Sequence, residues 1–202
     1  YDYAKASKVG EVVNFSGLDL KGYVVDYQFS KDESKVLLIL NPEMIYRHSY
    51  LADCFVYDIT TKKLTSVAKE KVRLAEFSPN SQKVAYVSNN NIFIFDIASM
   101  QTKQITTDGE YNHIINGTTD WVYEEEFGFA QGFFWSPDSK KIAFYRFDES
   151  NVKEFNMQMT EGLYMQDYKF KYPKAGEDNS IVEIYVYDVE SGKTTKMNTG
   201  EE

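Results

Sequence analysis

The sequence predicts an all-β chain, a partial β-propeller of about three four-stranded antiparallel blades. Three observations predict it. A strand–turn–strand unit recurs three times along the 202 residues. Each copy is followed by a second apolar strand, a short polar turn and a Thr-containing outer strand. The composition, with 16 Tyr and 14 Phe against 4 Pro, favours strands. Four short strands repeating every 40–50 residues or so mark a propeller.

In chain order, residues 1–22 read as strands of a preceding blade. The first full blade, 23–68, contains Phe29-Ser30-Lys31-Asp32-Glu33-Ser34-Lys35 leading into Val36–Ile39, then Cys54–Ile59. The second, 69–106, contains Phe77-Ser78-Pro79-Asn80-Ser81-Gln82-Lys83 leading into Val84–Val87, then Ile92–Ile97. The third, 107–202, contains Trp135-Ser136-Pro137-Asp138-Ser139-Lys140-Lys141 leading into Ile142–Tyr145, then Ile184–Val189. Pro after Ser suits the first central position of a tight turn, and Asp or Asn bonds its own backbone there. Three blades cannot close, since propellers take about 4 to 8. The chain therefore reads as part of a ring.

The third unit is interrupted by an arm over 148–180. Phe155–Met159 and Tyr168–Tyr172 alternate as strands of a hairpin. Its apolar residues either pack against another chain or fold back on their own blade, and the pattern alone leaves both open.

Asp120-Trp121-Val122-Tyr123-Glu124-Glu125-Glu126-Phe127 is the stretch that asks for chemistry. On a strand, Glu125 and Glu126 would point to opposite faces. On one helical turn they lie roughly 100° apart and converge on a single cation. Thr119 or Asp120 can cap that turn and Gly128 can end it. The plainer alternative is a solvated acidic turn. Arg47, flanked by Tyr46 and His48-Ser49-Tyr50, sits outside any charge run. Its planar guanidinium can pair with a carboxylate and still donate to a carbonyl. Locally, a structural ion pair explains it at least as well.

The net charge of −9 argues against nucleic acid, which wants clustered Lys and Arg. It suits a cationic ligand, and ordinary solubility accounts for it equally. Cys54 is the single cysteine, so it reads as core, with no intramolecular disulfide and no Cys-rich metal site. His48 and His113 are the only histidines and lack a paired ligand spacing, so neither a metal nor another cofactor is expected. No Gly-x-Ser-x-Gly elbow occurs, and neither histidine is assigned to catalysis. Val36–Leu40 is the longest aliphatic run and is too short to span a bilayer. No signal peptide is visible, which says nothing about export if the chain is an excised piece. Asn14-Phe15-Ser16 and Asn116-Gly117-Thr118 match the glycosylation triplet, and Asn116-Gly117 reads as a turn.

Asp120–Glu126 followed by Phe133–Ser150, with Tyr46–Tyr50 upstream and Tyr172–Gly176 downstream, resembles the propeller of dipeptidyl peptidase IV, a serine exopeptidase of the prolyl oligopeptidase family. The likeness covers about Tyr23 to Tyr187. It implies an eight-bladed ring carrying an α/β-hydrolase domain, which is absent here along with the Ser-His-Asp triad. It implies release of N-terminal dipeptides with Pro or Ala second, from peptides with a free N-terminus. Glu125 and Glu126 would anchor the substrate's α-amine, and Arg47 would contact its carbonyl oxygen. Glu124 would be a neighbour that caps or solvates the turn. The arm would support a homodimer, and the parent protein would be exported to a periplasm or cell surface; the compact turns and absence of extra cysteines read as bacterial. By the same likeness this piece alone would be inactive. A different class remains open, a non-catalytic propeller that binds peptides or proteins. A weaker third is a generic propeller scaffold, which would not require Arg47 together with the Glu pair.

Overall fold

A computed structural model describes residues 4–7, 10–18 and 20–200. The first blade holds β1 (Val24–Phe29), β2 (Lys35–Met44), β3 (Tyr50–Asp58) and β4 (Leu64–Ser66), hydrogen-bonded in that order. The second holds β5 (Arg73–Phe77), β6 (Lys83–Ser88), β7 (Asn91–Asp96) and β8 (Gln101–Gln104). After β9 (Ile114–Asn116) and α1 (Trp121–Glu125), the third blade adds β10 (Phe133–Trp135) and β11 (Lys141–Asp148). The arm β12 (Glu154–Met159) and β13 (Gln166–Lys171) intervenes before β14 (Ile181–Asp188) and β15 (Thr194–Lys196) complete it. The third sheet runs β10-β11-β14-β15, with β9 also paired to β11, and every pairing is antiparallel. The expected architecture of three four-stranded antiparallel blades is present.

The recurrent turn forms for one local reason used three times. The hydroxyls of Ser30, Ser78 and Ser136 donate to Asp32 Oδ1, Asn80 Oδ1 and Asp138 Oδ1 at 2.7, 2.7 and 2.6 Å. The same hydroxyls accept from the N–H of Lys35, Lys83 and Lys141 at 2.9, 3.0 and 2.9 Å. Each closes the pair of strands it joins, as the threefold unit predicts.

The turns also hold neighbouring blades together. Glu33, Ser81 and Ser139 occupy the same turn position with φ of +56°, +62° and +62°. That region is uncommon for residues with a side chain. At two of the three copies the side chain has a use. Ser81 Oγ accepts from Asp32 N–H at 3.3 Å, and Ser139 Oγ accepts from Asn80 N–H at 2.9 Å. Each buried serine thus clasps the turn of the blade before it, whereas Glu33 is exposed.

Alternation along β6 sets the packing. Val84 and Tyr86 face the first blade, in a cluster with Leu37, Cys54, Val56 and Phe77. Ala85 and Val87 face the third, with Ile94, Phe133, Ile142 and Phe144. A strand's period of two lets one sheet supply both interfaces. Cys54 is core, as read, and burial pushes its thiol up to about 12.

One reading falls partly outside the described residues and another is corrected. Among the described residues of 1–22 there is no strand of a preceding blade. A 3-10 turn over Phe15–Gly17 lies there instead, and Val13, Leu18 and Leu20 cover Val36, Leu38 and Leu40 of the first blade. The remainder of 1–22 lies outside the described residues. Asn116-Gly117 is not a hairpin turn. Asn116 ends β9, is buried, and donates through Nδ2 to Asp108 Oδ1 at 2.9 Å. Gly117 has φ +75°, and a Cβ there would lie 2.5 Å from Ile92 Cγ1. Packing against the second blade, rather than turn chemistry, demands this glycine.

If the clasps hold the blades, Ser81→Ala and Ser139→Ala should each lower the parent protein's stability by about 1 kcal/mol. Ala keeps the strained backbone, so the loss isolates the hydroxyl. Denaturant titration is the measurement, and Glu33→Ala, which removes no such bond, should change little. An equal loss in Glu33→Ala would count against the clasp.

Candidate functional site

The one-turn helix α1 is built by its ends. Asp120 caps it in extended conformation, φ −75° and ψ 179°, and its Oδ1 accepts from Tyr123 N–H at 3.0 Å. Glu126 is the C-cap, and its N–H donates to Val122 O at 2.8 Å. Gly128 follows with φ +73°, donating to Glu124 O at 3.2 Å. The three glutamates therefore stand at successive steps of one turn, each rotated by roughly 100°.

Those steps give them three environments. Glu124 is fully buried, contrary to the expectation that it caps or solvates the turn. Its Oε1 accepts from the N–H groups of His48 and Ser49, both at 2.8 Å. Arg73, buried at the head of β5, attracts Glu124 electrostatically, while its own burial pulls the guanidinium's pKa down. Glu124 Oε2 and Arg73 Nε and Nη2 are buried without a hydrogen-bond partner among the described residues. Glu125 is largely covered and Glu126 is exposed.

Arg47 reaches this helix from the loop between β2 and β3. β2 shifts register between Leu40 and Glu43, where Asn41 has φ +50° and Pro42 has no N–H to offer a ladder. Beyond this bulge the loop closes on itself, Ile45 N–H donating to Ser49 O at 2.8 Å. Arg47 Nε lies 3.2 Å from Glu125 Oε2, and its backbone N–H donates to Glu125 Oε1 at 3.3 Å. The Arg47 side chain is 74% exposed, so its other donors remain accessible. Arg47 belongs to the first blade and Glu125 to the third. The structure thus brings two of the three expected site residues together, and Glu126 follows on the same turn.

The sequence does not single out the groups behind the site. A cavity of about 300 Å³ beside the loop is lined by His48, Ser49, Arg73, Glu76 and Gln131. A larger one, about 1020 Å³, lies between the leading segment and the first blade, remote from these charges. The site is defined by the charge constellation, not by the larger hollow. Glu149 is buried near Asp120, and burial first, then Asp120, push its carboxyl up to about 7. The only sequence signal for it was its place at the root of the arm. Among the described residues no group of three or more His, Cys, Asp or Glu could hold a metal, and no helix is long and apolar enough to cross a membrane.

Glu149 makes a pH prediction with a definite sign. Its folded value, about 7, exceeds the ordinary 4.5, so the folded state holds the proton more tightly. The stability it contributes is full below 4.5 and is lost as pH rises through about 7. Denaturant stability measured across that window should fall less steeply in Glu149→Gln than in the unmodified protein.

Comparisons with known proteins bear on the family and the fold. The family model described as the dipeptidyl peptidase IV N-terminal region matches residues 30–202. Dipeptidyl aminopeptidase B of Saccharomyces cerevisiae is 37% identical over 168 residues, 81% of this chain and 20% of that protein. Dipeptidyl peptidase 4 of Trichophyton rubrum is 36% identical over 187 residues, 88% of this chain and 24% of that protein. The crystal structure of Porphyromonas gingivalis dipeptidyl peptidase 4 matches all of this chain and 29% of its own, with a TM-score of 0.93 at 39% identity. The chain thus spans between 20% and 24% of these two curated relatives. Matched by the family model from residue 30 onward and folded as successive propeller blades, the chain belongs to the dipeptidyl peptidase IV N-terminal region family.

Proposed function

We propose that this propeller segment recognises the free N-terminus of peptide substrates for a dipeptidyl peptidase IV-like serine exopeptidase. The observation that carries the reading is the Arg47–Glu125 pair, made across blades beside an exposed Glu126 on the same helical turn. A peptide's α-amine has a pKa near 8 and is mostly cationic at neutral pH. Two neighbouring carboxylates bind such an ammonium through charge-assisted hydrogen bonds. Arg47 partly neutralises them beforehand and directs its free donors to the substrate's carbonyl oxygen. A site that requires the terminal amine measures the chain from its end, and so favours release of a dipeptide; Pro or Ala second is what the likeness to dipeptidyl peptidase IV implies. The nucleophile and its base belong to a hydrolase domain of the parent chain. The exposed tip of the arm, Leu163, Tyr164 and Met165, suits a homodimer contact. The parent enzyme works after export, in a periplasm or at a cell surface.

Glu124 has a separate task in this reading. It holds the Arg47 loop through backbone amides and leaves the ammonium to its two neighbours.

In the parent enzyme, Glu125→Gln should lower kcat/KM for Gly-Pro or Ala-Pro chromogenic substrates by roughly thirtyfold, the effect of losing about 2 kcal/mol from a charge pair that bound substrate desolvates, and Glu126→Gln, whose carboxylate is exposed, should lower it by a smaller factor. Glu124→Gln keeps an acceptor oxygen for both amides and should lower it much less. Glu124→Ala strands one buried and one part-buried donor and should lower folding stability by about 2 kcal/mol in denaturant titration. Acetylating the substrate's amine should cripple turnover by the unmodified enzyme. Equal cleavage of acetylated and free-amine substrates would refute the amine anchor. The 202-residue chain alone should not turn over either substrate, and serine-inhibitor-sensitive hydrolysis by the pure fragment would overturn that.

A further inference from the structure

The arm does two things at its two ends. At the tip, Leu163, Tyr164 and Met165 are exposed. At the root, the same hairpin folds back on the candidate site. Phe170, 5% exposed, has its ring centroid 6.4 Å from that of Tyr46 and 6.5 Å from that of Trp121. Tyr172 meets Trp121 edge-on at 4.6 Å. Phe155, from the other strand of the arm, braces both at 5.9 and 5.5 Å. Where the arm rejoins the blade, Ser180 Oγ donates to Asp120 Oδ2 at 2.5 Å, while Oδ1 of that carboxylate caps α1.

These contacts fall on two particular neighbours. Tyr46 directly precedes Arg47, and Trp121 opens the helix that carries Glu125 and Glu126. A helix of five residues cannot hold its own orientation, because so short a segment is unstable alone. It must be clamped by packing on more than one side. Its own blade supplies one jaw, with Tyr123 edge-on to Phe147 at 4.9 Å. The arm root supplies the other through Trp121. Without the second jaw α1 can pivot about Tyr123 and its Glu124 contact to the loop, and the first-blade loop loses the cover over Tyr46. Both movements change the separation of Arg47 from Glu125.

We infer that the root of the arm is a positioning element of the amine site, with Phe170 and Tyr172 as positioning residues that fix α1 against the Arg47 loop. The inference rests on the amine-anchor reading above. Neither residue touches substrate in it. They act through Trp121 and Tyr46. The hairpin's unbroken register, from Glu154↔Lys171 to Met159↔Gln166, holds the braces in place.

The test uses the full-length enzyme and two substrates, a free-amine dipeptide chromogen and the same compound with hydrogen in place of the amine. Tyr172→Ala and Phe170→Ala should raise KM for the free-amine substrate roughly three- to tenfold, the worth of one aromatic contact. Neither should change kcat/KM for the des-amino compound. Tyr172→Phe keeps the ring and should restore the unmodified KM. Leu163→Ser at the tip should leave the ratio of the two substrates unchanged if the root acts as proposed. Where an alanine variant does not fold, Tyr172→Leu, which retains bulk, carries the same comparison. A loss shared equally by both substrates, with KM unchanged, would overturn the inference and leave the root a merely structural support. Glu125→Gln separates the two readings. If it lowers the substrate ratio and Tyr172→Ala does not, only the positioning inference fails. If Glu125→Gln leaves the ratio unchanged, the amine anchor itself fails.

Discussion

The site depends first on a carboxylate that faces away from it. Glu124 is fully buried, and a buried charge costs several kcal/mol unless it is met by donors. The His48 and Ser49 amides supply them, and Arg73 supplies a nearby positive charge. That requirement draws a loop of the first blade onto a helix of the third. Once Glu124 points inward, the helical step of roughly 100° dictates where its successors go. Glu125 meets Arg47, and Glu126 stands at the exposed end of the turn. Three chemically identical side chains thus divide into an anchor for the fold, a partner for the arginine and an open carboxylate.

Much of the fold was legible because its signals are local. The Ser-x-Asp turn contains its own donors and acceptors, so three copies announce three strand pairs. The short helix was legible from Asp120, which caps its start, and Gly128, whose left-handed backbone follows its C-cap and ends it. The pairing of Arg47 with the glutamates rested on a resemblance, because no local feature links residues 78 positions apart. What stayed hidden was settled by packing. Nothing in a run of three glutamates says which one turns inward. The apolar residues Val13, Leu18 and Leu20 look like strand residues, yet they serve as a cover for the first blade. Asn116-Gly117 spells a turn locally, but Ile92 claims the space where a Cβ would be. The serine clasps were unreadable for the same reason, since each partner amide lies on a different blade.

The same repeat also shows how the blades transmit position to the site. Phe29, Phe77 and Trp135 occupy one place in the unit, immediately before the turn serine. Phe77 is buried in the interface with the first blade, and Trp135 packs into the interface between the second and third. Phe29 is 42% exposed, with Val25 and Tyr27 exposed beside it on the same face of β1. A position that is core in two copies and open in the third marks the face that a further blade would cover. Close-packed interfaces transmit displacement because they have little free volume to absorb it. Arg47 and Glu125 belong to the first and third blades, so two such interfaces lie between their sheets. Their 3.2 Å contact therefore depends on blade spacing as well as on the side chains themselves. Glu124 and the root of the arm bypass the intervening blade by tying the loop directly to the helix, so the Arg47–Glu125 pair does not rely on the accumulated precision of the blades alone.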